Sequence, residues 1–145
     1  MRAETTDGTW LSNYRDYTPV TPIKTLKIMD YSVDSSGSIT SLFAPPKTVI
    51  MTRNGSYYDY YTFYILGMDA GGNEAYTRSD YGTYVVSTSN PAVAAGSFYW
   101  VKDEATQEWV PMLDIIASTK TGSAKITVMT TDGTGKKATI NVKVR

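Results

Sequence analysis

The chain has 145 residues, 41% hydrophobic and 19% charged, which is enough apolar material for one packed domain and too much for global disorder. Lys plus Arg and Asp plus Glu both number 14, so no net field draws the chain toward nucleic acid or into an anionic membrane surface. Cysteine and histidine are absent, which excludes disulfides, thiolate chemistry, a Ser-His-Asp triad and the commonest metal ligand.

No run approaches the roughly 18 apolar residues that span a bilayer. Met1-Arg2-Ala3-Glu4-Thr5-Thr6-Asp7 also lacks the apolar core of a secretory signal. The expectation is a chain used without secretion, or a piece of something larger.

Residues 1–25 contain Gly8, Pro19 and Pro22 among polar residues and no alternation long enough for a buried strand, so they are expected to form an extended arm. Trp10, Leu11, Tyr14 and Tyr17 sit inside it. Large aromatics in a segment too short for its own core need a surface, either a partner chain or the domain itself. They are candidate partner-binding residues.

From residue 26 to 145 a period of two dominates, as in strands with one buried face. Ser35-Ser36-Gly37-Ser38 marks a turn, Thr48-Val49-Ile50-Met51 a strand, and Asn54-Gly55-Ser56 a tight turn that is also formally a glycosylation sequon. Residues 57–66 form a long aromatic strand, with Tyr58, Tyr60, Thr62, Tyr64 and Leu66 on one face and Tyr61, Phe63 and Ile65 on the other. A tyrosine face is expected to build the core and the other face to be ordinary filling of a pleated surface; an exposed tyrosine binding face is the alternative.

Residues 69–73 break that strand, Tyr84-Val85-Val86 opens another, and Ser89-Asn90-Pro91 turns the chain again. Phe98-Tyr99-Trp100-Val101 and Trp109-Val110-Pro111-Met112-Leu113 flank the polar residues 102–108 and predict a protruding hairpin. The C-terminal hairpin turns at Asp132-Gly133, and its Ile126, Val128, Ile140 and Val142 are expected to be buried. Nowhere does helical spacing persist, so the fold class is all-β.

Val86-Ser87-Thr88-Ser89-Asn90-Pro91-Ala92-Val93-Ala94, then Lys120-Thr121-Gly122-Ser123-Ala124-Lys125-Ile126-Thr127, and finally Lys137-Ala138-Thr139-Ile140-Asn141-Val142 resemble the bacterial immunoglobulin-like domain of the intimin and invasin type. The resemblance covers about residues 45–145 and is most specific in its last third. It implies an immunoglobulin-like Greek-key sandwich without catalysis. Residues 95–116 depart from the pattern: they are longer than the family's usual hairpin and carry two tryptophans.

Acid pairs are the remaining catalytic currency, Asp103-Glu104 with Glu108 or Asp30 with Asp34, but loop acids of this kind are ordinarily solvated. Asp69, Asn73, Glu74 and Asp80 offer oxygen ligands without the spacing of a calcium loop. No catalytic, metal or cofactor residue is assigned. Phe98, Tyr99, Trp100 and Trp109 are candidate partner-binding residues, as a sugar-stacking or protein-binding patch, with capping of the core as the alternative.

The expected function is non-enzymatic: a phage virion protein, decorating a capsid or tail and tied down by the N-terminal arm. The alternative is an immunoglobulin-like module of a bacterial surface adhesin binding a host protein or glycan. A carbohydrate-binding accessory domain of a secreted enzyme rests on Trp100 and Trp109 alone.

Overall fold

A computed structural model of the chain describes residues 22–54, 57–58, 60–75, 84–131 and 133–145. Trp10, Leu11, Tyr14 and Tyr17, most of the expected arm, the tip of the Asn54-Gly55-Ser56 turn, and Asp80 lie outside the described residues.

The described elements are all strands: β1 (Thr25–Val33), β2 (Ile39–Phe43), β3 (Thr48–Met51), β4 (Arg53–Asn54), β5 (Tyr57–Tyr58), β6 (Tyr60–Met68), β7 (Val85–Thr88), β8 (Ala94–Asp103), β9 (Glu108–Ala117), β10 (Gly122–Met129) and β11 (Lys137–Val144). They form a two-sheet sandwich, one sheet ordered β2-β1-β6-β9-β8 and the other β3-β11-β10-β7, with β4 and β5 as a separate ribbon. Pairing is antiparallel except between β3 and β11, which run parallel.

Alternation decides the inside. In β10 and β11, Ala124, Ile126, Val128, Ile140, Val142 and Val144 are buried, while the residues between them face outward. The expectation for Ile126, Val128, Ile140 and Val142 holds. Facing them across the sandwich stand Ile28, Phe63, Ile65, Leu113 and Ile115. The sheets approach closely at Gly96, where a Cβ would lie 2.9 Å from Val86 Cγ1 and 3.0 Å from Ile126 Cγ2.

Of the two faces of residues 57–66, the one bearing Tyr61, Phe63 and Ile65 supplies the core through Phe63 and Ile65, while Tyr60, Thr62 and Tyr64 lie on the outer face of the five-stranded sheet. Two carbon-rich side chains bury with no hydroxyl to satisfy, which is why that face turns inward. The last residues of the expected arm also belong to the sandwich. Ile23 is fully buried, the Lys24 amide donates to the Met68 carbonyl at 2.7 Å, and β1 begins at Thr25.

β1 changes partner halfway. Residues 25–29 pair with β6, whereas residues 30–33 pair with β2 alone, through a bulge between Ser32 and Val33. A bulge adds twist and bends the strand. The far end of the β1–β2 hairpin therefore leaves the plane of the sheet, and Ser38 Oγ at its tip donates to Asp103 Oδ1 at 2.9 Å, on the other edge of the sheet.

Candidate functional site: a tyrosine-lined groove on the outer sheet face

The overhanging β1–β2 hairpin and the long β8–β9 hairpin enclose a groove of about 300 Å³. Its sides include Tyr31 and Val33 of β1, Thr62 of β6, Tyr99 and Val101 of β8, and Met112 of β9. Met112 points away from the core yet is only 4% exposed, with Tyr64 and Tyr99 paired on either side of it on the same face. Through Thr62 and Tyr99 the groove runs into a more open depression bounded by Tyr60, Asp114 and Ile116.

Both hairpin tips are built by carboxylates. Asp34 Oδ1 accepts from the Ser36 amide at 2.9 Å, the Ser36 hydroxyl at 2.6 Å and the Ser38 amide at 3.0 Å. The Ser36 hydroxyl, followed by the Ser38 amide, holds the Asp34 carboxyl below its ordinary value. Asp103 Oδ1 accepts from the Ala105 amide at 3.0 Å besides Ser38. The turn is completed by Gln107 in a left-handed conformation (φ 60°). Asp34 and Asp103, read above as members of possible catalytic pairs, shape turns. Asp69 does the same, accepting from the Gly71 and Asn73 amides at 2.9 Å.

Asp114 is the chemical centre of the groove. It stands half-buried in the middle of β9, with Thr62 Oγ1 donating to its Oδ1 at 2.7 Å and Tyr99 OH to the same oxygen at 3.0 Å. Oδ2 accepts no hydrogen bond from a described residue. Burial, then the hydrogen bond and charge of Asp114, raise the Tyr99 phenol above its ordinary value. Burial, then the charges of Asp114 and Asp30, do the same to Tyr31. Both phenols thus remain neutral donors through the physiological range. On the same face Tyr64 OH donates to Glu74.

The four aromatics of the hairpin do not make one patch. Phe98 packs against the core, edge-to-face with Tyr84 and with Trp100, each at 5.3 Å between ring centroids. Trp100 reaches the core only through Phe98, and its Nε1 is buried without a partner among the described residues. Trp109 is 46% exposed and pairs with Lys102 near the hairpin tip, leaving Tyr99 as the one of the four that lines the groove. Period-two alternation separates 98 and 100 from 99, so the four cannot share a face.

Tyr31, Thr62, Met112 and Asp114 were not singled out from the sequence. The available signal was an acid in the run Met112-Leu113-Asp114-Ile115-Ile116, at a position alternation places outward. One carboxylate with neutral hydroxyl donors and apolar walls can bind a cationic or hydroxyl-bearing group. Among the described residues there is no group of three or more His, Cys, Asp or Glu able to hold a metal, and no helix long and apolar enough to cross a membrane.

No protein-family model matches the chain, and no curated protein matches it in sequence. Among solved structures it is similar to domains 4–9 of the surface layer protein SbsC, at 17% identity and a TM-score of 0.49, covering 92% of this chain and 15% of that one. Domains 4 and 5 of the same protein match at 20% identity and a TM-score of 0.43, covering 81% of this chain and 45% of that one. The ZirS C-terminal domain matches at 12% identity and a TM-score of 0.39, covering 99% and 94%. The chain thus spans less than half the length of these SbsC chains, and likenesses this distant leave function to be argued from the groove.

Proposed function

We propose that this chain is a non-enzymatic binding module of a bacterial cell-surface protein, an immunoglobulin-like sandwich whose working surface is the outer face of its five-stranded sheet. The groove around Asp114 carries this reading: a half-buried carboxylate with an unused oxygen, walled by Tyr31, Tyr99 and Thr62 and roofed by an overhanging hairpin. Large, stiff aromatics beside one placed charge are the chemistry of a binding surface.

The immunoglobulin-like part is supported by the motif residues. Asn90-Pro91 turns the chain between β7 and β8, Gly122 opens β10 at φ 138°, and Gly133 turns β10 into β11 at φ 89°, conformations that disfavour a side chain. The virion reading expected first from the sequence drew its structural case from an arm of which the described end, Ile23, packs in the module's own core, and the surface module that stood as its alternative is the reading kept. No feature of the described fold favours the virion over a surface location.

The test is binding of labelled full-length chain to arrays of glycans and of peptides from cell-surface proteins, with Asp114→Asn and Tyr31→Ser alongside. Ligands bound by the wild type and lost in both folded variants support the groove as the working surface. Ligands bound equally by all three place that surface elsewhere.

A further inference from the structure

The two outer faces of the sandwich carry opposite charge. On the groove side, Asp103, Glu104 and Asp114 line the depressions and Lys102 is the one cation among the lining residues. On the other side, strands β3, β7, β10 and β11 contain no acid at all. Lys125, Lys137 and Lys143 point outward from β10 and β11 and are exposed. Ser123 pairs with Lys143 and Lys125 with Asn141, so Lys125 and Lys143 are diagonal neighbours. Together they border a shallow depression whose other sides include Thr48, Ser89 and Ser123. Small polar neighbours leave the two ammonium groups standing above the surface.

Each side lacks what the other offers. Like charges on adjacent strands repel, so the Lys125–Lys143 pair is at its best opposite an anion. Asp114 is the converse: a half-buried carboxylate whose Oδ2 accepts from no described residue and borders an open depression, where a donor from outside can reach it. A lysine satisfies it well, because its ammonium can meet Oδ2 while its aliphatic stem lies along Tyr60, Tyr99 and Ile116. Tyr60 is 66% exposed and Ile116 44%, apolar area that such a stem would cover.

We infer that the occupant of the groove is the lysine face of a second copy of this chain, with Lys125 or Lys143 of one copy set against Asp114 of the next. This rests on the groove being the working surface and names its partner. The chain as a whole is neutral, 14 cations against 14 anions, so copies do not repel one another at long range. Unlike faces attract, like faces repel, and the contact is heterologous. Because the two faces lie on opposite sides of the sandwich, each copy that offers a groove to one neighbour offers lysines to another. The contact does not close on itself, and the assembly grows as a row.

The experiment is sedimentation velocity of the full chain over a concentration series. At about 20 mM salt the mean mass should rise past a dimer with concentration, and association should weaken at least about tenfold at about 500 mM salt, where screening falls to a few ångströms. Asp114→Asn, which keeps the shape and the Oδ1 acceptor, should abolish it, and so should the double variant Lys125→Glu with Lys143→Glu. Each variant retains one intact face. Mixing Asp114→Asn, with its lysines, and the double variant, with its groove, should restore a contact that stops at a heterodimer. Circular dichroism of each variant establishes that loss is not unfolding.

A wild type that stays monomeric to about 1 mM in low salt, or growth that Asp114→Asn leaves unchanged, overturns the inference. If that monomer nevertheless binds an arrayed glycan or peptide in an Asp114-dependent way, the groove is the working surface with a different occupant. If neither self-association nor array binding depends on Asp114, both conclusions fall. Binding of the lysine face to an anionic polymer, with no self-association, likewise removes the second copy as partner.

Discussion

Ile126 tests the packing of the sandwich most directly. It is fully buried in β10, and its Cγ2 lies 3.0 Å from where a Cβ on Gly96 would sit, so the two residues mark where the sheets touch. Ile126→Ala removes three carbons, worth about 2.4 kcal/mol at about 0.8 kcal/mol each. The residual cavity adds to this, for an expected loss of about 2 to 5 kcal/mol. Gly96→Ala forces a methyl group against Val86 and Ile126, costing about 1 to 3 kcal/mol by overpacking, offset by roughly 0.5 to 1 kcal/mol for Ala over Gly in a strand. In the double variant the new methyl enters the space that Cγ2 has left. The combined loss should therefore fall short of the sum by about 1 kcal/mol, within the range for residues in contact. Urea unfolding with an unchanged slope gives all four free energies. Additivity to within about 0.5 kcal/mol would refute the contact, and a loss under about 1 kcal/mol for Ile126→Ala would refute the burial.

The remaining expectations concern the groove. Tyr31 and Tyr99 ionise above the ordinary value of 10.0 in the folded chain, so the stability their neutral forms contribute is complete below about pH 10 and is lost as pH rises through the folded-state values. Absorbance titration at alkaline pH should show two late phenols, and Asp114→Asn should bring the Tyr99 midpoint down without returning it fully, since burial is the larger cause. Thr62→Val deprives the Asp114 carboxylate of its 2.7 Å donor and should cost about 1 to 2 kcal/mol by urea unfolding, the low part of the range for charged acceptors because the site is only half-buried. Ser38→Ala unties the hairpin tip from Asp103; hydrogen exchange should quicken at the Ser36 and Ser38 amides while global stability changes by less than about 1 kcal/mol.

Strands and turns were legible because each rests on local chemistry. Alternation placed Ile126, Val128, Ile140 and Val142 inside, and the β8–β9 hairpin was visible as two apolar runs around a polar loop. The groove was not legible, because three of its determinants are non-local. Alternation sorts residues 57–66 into two faces without saying which turns inward; that depends on whether Phe63 or Tyr64 meets the opposite sheet. The roof depends on where β1 stops pairing with β6, and on one hydrogen bond between Ser38 and Asp103, residues 65 positions apart. Asp114 acquires its meaning from Thr62 and Tyr99 on the strands flanking β9.

Charge carries the same lesson further. A balance of 14 against 14 argues against attraction to a polyanion only if the charges are mixed over the surface, since what a partner meets within a Debye length of about 10 Å is the local field. Here they are sorted by topology. The β10–β11 hairpin occupies the centre of its sheet, β3 and β7 flank it with uncharged strands, and so no acid of these four strands dilutes Lys125, Lys137 and Lys143. The acids of β8 and β9 fall on the other sheet, where Asp114 is held by hydroxyls rather than by a cation. A neutral chain folded in this order presents one basic and one acidic face. Exchanging Asp114 and Lys125 would keep the composition and the net charge while neutralising the lining of the groove and leaving the lysine face a single surplus cation.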